Sequence, residues 1–228
     1  MKRSNLTLLD AFRCCPYIVQ VAAEFISDVA ERAAFLNQAR TAQTELQTPL
    51  FYEAEDFDDE KERLIEIIRE RQVVDRSIAI LFHLNRQVKG FAKGLRDAGL
   101  EIETWDRRSG AELDFGSGIP KVLTLHSAKG LTFDTVIMPR LVEMSFRHVS
   151  NARREKLLYV GITRATRWVY LSTVDGDAIS ELERLRKLST LQSSPVTMQI
   201  WGDSPSSEAP TPVGDKASSS PDDPLDLL

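Results

Sequence analysis

Residues 121–138 read KVLTLHSAKGLTFDTVIM, and their interpretation decides the fold. Lys121–Leu125 and Asp134–Met138 are short runs rich in Val, Leu, Ile and Thr, the composition of strands. Between them lies a turn carrying His126, Ser127, Lys129 and Gly130. Alternation along 121–126 puts Val122, Thr124 and His126 on one face and Leu123 and Leu125 on the other. Lys129-Gly130 has the residue types of a phosphate-handling loop, yet in a P-loop the glycine precedes the lysine. The stretch therefore grips a ligand in some other way, or only turns the chain.

Working outward, strand-like and helix-like segments alternate. Asn5–Leu9 reads as a strand and Pro16 to Leu36 as a helix, proline being suited to a first helical turn. Pro49–Ala54 is a second strand, and Asp58 is the expected cap of a helix with Leu64, Ile65, Ile67 and Ile68 as its apolar stripe. SIAILF (77–82) has the continuous apolar pattern of a strand buried on both faces. Asn85 is the expected cap of the next helix, with Val88, Phe91 and Leu95 on one side and Gly99 past its end. Strands at Leu100–Thr104 and Trp168–Thr173 and helices over 151–165 and 177–191 complete the series. This order predicts an α/β fold, a mostly parallel sheet with helices on both faces. Ligands of such folds gather beyond the carboxyl ends of the strands. That singles out the residues after Leu9, those after Leu125 and those flanking the 151–165 helix.

The chain has 228 residues and a net charge of −5, unevenly spread. Residues 204–228 carry five acidic residues against Lys216 alone, which leaves the rest close to neutral. Within that body, 147–168 concentrates Arg147, Arg153, Arg154, Lys156, Arg164 and Arg167 against Glu155, a segment able to meet phosphates. The tail is rich in Ser, Pro and Asp and is expected to be disordered. Its ending, DDPLDLL, sets three leucines among acids and reads as a docking peptide, faintly similar to those that bind the replication sliding clamp. No run approaches ~18 apolar residues, so no membrane partner is expected. Adjacent Cys14 and Cys15 lack metal-ligand spacing and read as reduced thiols of a cytoplasmic protein.

Three places carry chemistry. Arg13 in DAFRCCPYI stands between a strand end and a helix start, where a guanidinium matches phosphate oxygens. Thr124, His126 and Ser127 offer hydroxyls, an imidazole and backbone N–H groups suited to a phosphodiester. In NARREKLLYVGITRATRWVYLS (151–172), Leu158, Ile162 and Ala165 face the core, and Gly161 implies a close approach by another group. Arg164 sits near the helix end, where a cation also complements the dipole. The chain has no Walker A motif, no Ser–His–Asp arrangement and no metal-ligand spacing.

Together these stretches resemble the C-terminal motor half of UvrD/Rep-type superfamily 1 DNA helicases. LTLLDAFRCCPYIVQVAAEFI is similar to the family's motif IV, VLTLHSAKGLTFDTVIMP to motif V and REKLLYVGITRATRWVYLS to motif VI. The resemblance covers residues 5–190 and implies a RecA-like three-layer α/β/α domain without its own P-loop, with 1–203 as the domain and 204–228 as the tail. It implies that Arg13 and Arg164 reach the γ-phosphate of ATP, with Mg2+ and most of the nucleotide held by a separate Walker-bearing domain. It further implies that Thr124, His126 and Ser127 touch single-stranded DNA, and that Lys129 and Gly130 link that contact to the nucleotide cleft. Domain closure and reopening would step the protein 3′-to-5′ along the strand.

Two departures stand out. Thr132 replaces the glutamate that usually contacts the ribose, so weaker nucleotide affinity is expected. Thr124 follows Arg13 too closely for the large accessory domain many relatives insert between motifs IV and V. The isolated chain is expected to be inactive, its Walker-bearing partner supplied in cis or in trans. The alternative is a non-catalytic adaptor recruiting DNA-repair or replication partners through its tail.

Overall fold

The computed structural model describes residues 14–38, 47–105 and 113–202. The expected strand Asn5–Leu9, Arg13 and the tail 204–228 lie outside these. Among the described residues, seven strands form one sheet: β1 (Leu50–Ala54), β2 (Ile78–Phe82), β3 (Glu103–Thr104), β4 (Lys121–Thr124), β5 (Phe133–Met138), β6 (Ala165–Val174) and β7 (Thr197–Ile200). Their order is β3-β4-β2-β5-β6-β1-β7, and every neighbouring pair is parallel.

Side-chain alternation splits the core in two. Ala79, Leu81, Leu123, Val136, Met138, Val169 and Leu171 pack on one face under helices α1 (Pro16–Ala23), α2 (Val29–Gln38), α5 (Asn151–Ile162) and α6 (Glu183–Ser189). Ile78, Ile80, Phe82, Val122, Ile137 and Tyr170 pack on the other, under α3 (Phe57–Val74) and α4 (Asn85–Asp97). This is the expected three-layer α/β/α arrangement.

Several boundaries differ from the sequence reading, each for a local reason. The helix expected from Pro16 to Leu36 is two helices, because the Asp28 carboxylate accepts the Glu31 N–H at 2.8 Å and starts a new one. The cap of α3 is Asp56 rather than Asp58; its carboxylate accepts from the N–H groups of Asp58 and Asp59. Asn85 is the first residue of α4 rather than its cap, and Gln87 reaches back to the Leu84 N–H at 3.1 Å. α5 stops at Ile162, and Ala165, expected at its end, opens β6 while remaining fully buried. The helix expected over 177–191 divides into a 3-10 turn at Ser180–Leu182 and α6. β7 is an edge strand that the sequence reading missed; it is only partly buried.

The stretch 124–133 has an unusual task. β2 lies between β4 and β5, so the chain must cross it while returning from the carboxyl edge of the sheet to the amino edge. Thr124 is level with Phe82 and Thr135 with Ile78, which separates Thr124 from Phe133 by about 20 Å along the sheet. Parallel connections ordinarily need a dozen or more residues and a helix. Here residues 125–132 make the return with turns alone. The Ala128 N–H donates to the Thr124 carbonyl at 3.0 Å, that of Lys129 to His126 at 3.3 Å and that of Leu131 to Ala128 at 3.1 Å. Leu125 and Ala128 anchor the crossing in the core beneath α5, and Gly130, at φ +87°, supplies a left-handed bend that glycine adopts without strain.

Candidate functional site

At the carboxyl edge an open groove of about 850 Å³ lies between α4 and the start of the crossing. Thr124, His126, Ser127 and Lys129 line it together, so the structure brings together all three residues expected to touch a phosphodiester. The Thr124 and Ser127 hydroxyls hydrogen-bond at 2.8 Å, and the Ser127 N–H donates to Thr124 Oγ1 at 3.1 Å. This turn holds Thr124 buried and leaves the His126 and Lys129 side chains exposed. The opposite wall comes from α4, with Asn85, Lys89 and Arg96; Thr104 and Trp105 close the β3 end. Among the described residues, Lys89, Arg96 and Lys129 are its Lys and Arg residues and no carboxylate lines it.

His83, at the end of β2, stacks on Phe146 with ring centroids 4.8 Å apart and also lines the groove. Burial, reinforced by nearby Arg153, pushes its pKa below the ordinary histidine value, so it adds no charge at neutral pH. The groove thus takes its positive charge from its lysines and arginine rather than from His83.

The amino edge is built differently. Arg164 follows the C-terminus of α5 and precedes β6. Its Nε–H donates to the Val160 carbonyl at 3.1 Å, an orphan acceptor of the helix end, and Nη1 donates to the Leu131 carbonyl at 3.3 Å. The Phe133 N–H donates to the Arg164 carbonyl at 2.9 Å. Arg164 is therefore clamped to the far end of the 124–133 crossing. Ligand readings based on strand carboxyl ends place it at the wrong edge: Arg164 and Thr132 lie where β5 and β6 begin.

The stretch beginning at Cys14 reaches the same edge. The Cys15 N–H donates to the Thr166 carbonyl at 2.9 Å, and Cys14 is fully enclosed near Arg164. Burial pushes the Cys14 thiol up to about 11, against a smaller downward pull from Arg164. Tyr159 is raised for the same first reason and feels both neighbours. The residue chain-adjacent to Arg13 is thus beside Arg164, while Arg13 itself lies outside the described residues.

The basic segment 147–168 proves mixed. Arg154 is buried and holds Glu143 at 2.7 Å together with the carbonyls of Val149 and Phe146, so it is a fold-building cation. Arg167 pairs with Asp75 at 3.2 Å. Arg147, Arg153 and Lys156 remain exposed. Gly161 meets the expected close approach: a Cβ there would lie 2.7 Å from both Leu125 Cδ2 and Met138 Sδ. Helix α5 therefore sits directly on the first residue of the crossing. Sequence reasoning missed Lys89, Arg96 and Trp105; two cations seven positions apart on one helix face were the available signal.

Comparison with known proteins fits this arrangement. Residues 121–172 match the family model of the UvrD-like helicase C-terminal domain. No curated protein sequence matches the chain. Among solved structures, the C-terminal domain of a possible DNA helicase from Lactobacillus plantarum WCFS1 aligns at 18% identity and TM-score 0.60, over 82% of this chain and 98% of that one. Dbp5 of S. cerevisiae, solved with Gle1 and IP6, aligns at 15% identity and TM-score 0.50, over 77% of this chain and 48% of that one. The arterivirus helicase non-structural protein 10, solved with DNA, gives 12% identity and TM-score 0.43 over 81% and 37%. The chain thus spans less than half of the two longer proteins. From β4 to β6 it carries the UvrD-like helicase C-terminal signature, on the fold of a RecA-like helicase C-terminal domain.

Proposed function

We propose that this chain is the C-terminal motor half of an ATP-dependent superfamily 1 DNA helicase or translocase. Its first 203 residues would be the second RecA-like domain, working in a cytoplasmic enzyme beside a Walker-bearing domain in cis or in trans. The observation that carries the reading is the 124–133 crossing, which joins the groove at one edge of the sheet to Arg164 at the other. A bound ATP brings a γ-phosphoryl group whose negative charge grows during transfer. Arg164 supplies a fixed cation there, held by two backbone carbonyls, with Arg13 as its companion from motif IV. Mg2+ would be held mainly by the Walker-bearing partner domain. Lys129 and Gly130 transmit position along the crossing, and Thr132 offers a hydroxyl towards the ribose.

The groove takes single-stranded DNA by its backbone. Thr124 and Ser127 present hydroxyls, His126 an imidazole, and Lys89, Arg96 and Lys129 charge. Trp105 provides an indole for base stacking. The test is to titrate the chain with a Walker-bearing RecA-like domain in the presence of single-stranded DNA and measure ATP hydrolysis. Activity absent from either part alone and present in the mixture supports the proposal. No activity with both parts folded contradicts it and leaves the adaptor reading, in which the tail recruits partners.

A further inference from the structure

A second groove, of about 350 Å³, runs along the other side of α4, between it and α3. Its character is opposite to the first: Phe57, Phe91, Leu95, Gly90 and Gly94 form its floor and walls, with Lys61 and Arg86 as the cations and, among the described residues, no carboxylate in the lining. Phe57 is 45% exposed, an unusual state for an aromatic ring that already packs edge-on against Phe91. The volume falls within the ~300–1,000 Å³ of ordinary ligand sites, and the lining is mostly apolar with a few polar groups, as such sites are.

The two glycines sharpen this. Glycine inside a helix lowers helix stability, and Gly161 has a visible reason in Leu125 and Met138. Gly90 and Gly94 have none among the described residues. A Cβ at Gly90 would meet nothing within 4 Å, and at Gly94 only the Lys61 Cε at 4.0 Å. Their bare backbone leaves space open beside the exposed ring of Phe57.

The chain itself holds a segment of matching chemistry. Residues 222–228, DDPLDLL, put three leucines among three aspartates, complementary to an apolar trough with two cations. The geometry of the exit fits as well. β7 runs parallel to β1 with Ile200 level with Glu53, and the Trp201 N–H donates to the Glu53 carbonyl at 2.9 Å. The described chain therefore ends at Gly202 beside the end of β1, two residues before α3 opens with Phe57. Nineteen residues, 203 to 221, separate Gly202 from 222–228, and a chain of that length reaches at most ~65 Å, enough to lay 222–228 along the groove. A tether of that length raises the local peptide concentration towards the millimolar range.

We infer that the α3–α4 groove is a peptide-docking surface and that its occupant is this chain's own C-terminal DDPLDLL, bound in cis. The leucines fill the trough over Gly90 and Gly94, and the aspartates face Lys61 and Arg86. The inference does not depend on the helicase reading.

The test compares the full chain with a full-chain variant carrying Leu225→Ser, Leu227→Ser and Leu228→Ser, using a fluorescent DDPLDLL peptide and its anisotropy. The peptide should bind the variant at least tenfold more tightly than the unmodified chain, whose groove is already filled. Adding Gly90→Leu to the variant should abolish binding without loss of helix. Lys61→Glu with Arg86→Glu should weaken it in a second background, and both chains should sediment as monomers. Absence of binding to the variant, equal affinity for both chains, binding indifferent to Gly90→Leu and to the charge reversals, or a tail-dependent dimer would each overturn the assignment.

Discussion

Thr124, His126, Ser127 and Lys129 at the carboxyl edge of the sheet look into an open groove lined by exposed cations. At the amino edge Arg164 is turned onto the carbonyls of Val160 and Leu131, and a buried thiol at Cys14 packs beside it. Both edges hold cations, yet at one they are exposed around an open groove and at the other the guanidinium is held by backbone acceptors. Exposed lysines bind phosphates loosely and at many positions, and their contribution is screened by salt. An arginine whose fork is already held by backbone acceptors loses little freedom when a phosphoryl group arrives, which is what stabilising a transient charge requires. On the proposed function, substrate holding falls to one edge and chemistry to the other, with the 124–133 crossing between them.

The largest effect that could break this division is loss of Arg164. Arg164→Ala should lower the ATPase of the assembled enzyme by ~10³–10⁵, the range for an arginine at a transferred phosphoryl group. Affinity of the chain for single-stranded DNA should change less than twofold. A comparable loss at both would merge the two edges into one site.

Next in size is Gly161→Ala. Its Cβ would press on Leu125 and Met138, and overpacking of this kind costs about 1–3 kcal/mol. Urea denaturation should show that loss, although Ala is the better helix former. An unchanged midpoint would mean that α5 does not rest on the crossing as tightly as the contacts describe.

Lys89→Ala with Arg96→Ala probes the groove alone. Removing two phosphate contacts should flatten the dependence of log K on log salt by about 1.4 for a single strand, while ATPase at saturating DNA is kept. A slope that stays the same would remove α4 from the DNA path.

The smallest effect concerns proton equilibrium at the amino edge. The Cys14 thiol sits at about 11 because burial disfavours the thiolate, and Arg164 offsets part of that. Removing the cation raises the value further, so at pH 10 the thiolate fraction falls. Alkylation of Cys14 in Arg164→Ala should therefore be several-fold slower than in the unmodified chain at that pH. Faster labelling would place the guanidinium elsewhere.

Much of this was legible in the sequence. SIAILF and DTVIM announced buried strands because fully buried parallel strands need no polar alternation, and 121–126 alternated as read, with Val122 and Leu123 on opposite cores. The grouping of Thr124, His126 and Ser127 followed from one strand end and one tight turn. What was not legible required sheet order. Nothing local to Arg164 says that β6 begins one residue later, so a rule about carboxyl ends misplaced it. The cations of α4 reach the groove only because β3 and β4 pack beside β2, a pairing over long sequence separation. Asp28 broke a helix that apolar periodicity alone would have continued, because a side-chain cap outweighs a few residues of pattern.

The central claim is that the crossing couples the two edges, and thermodynamic linkage tests it directly. In the enzyme assembled with its Walker-bearing domain, the affinity for single-stranded DNA is measured with and without a non-hydrolysable ATP analogue, in the unmodified chain and in Gly130→Val. A β-branched residue cannot hold the φ of +87° at that bend without strain, so the substitution distorts the crossing while leaving Thr124 and Arg164 in place. The account predicts that the analogue shifts DNA affinity about 5–150-fold in the unmodified enzyme, the usual size of coupling between sites, and hardly at all in the variant. An undiminished shift in Gly130→Val, with both ligands still bound, would contradict it.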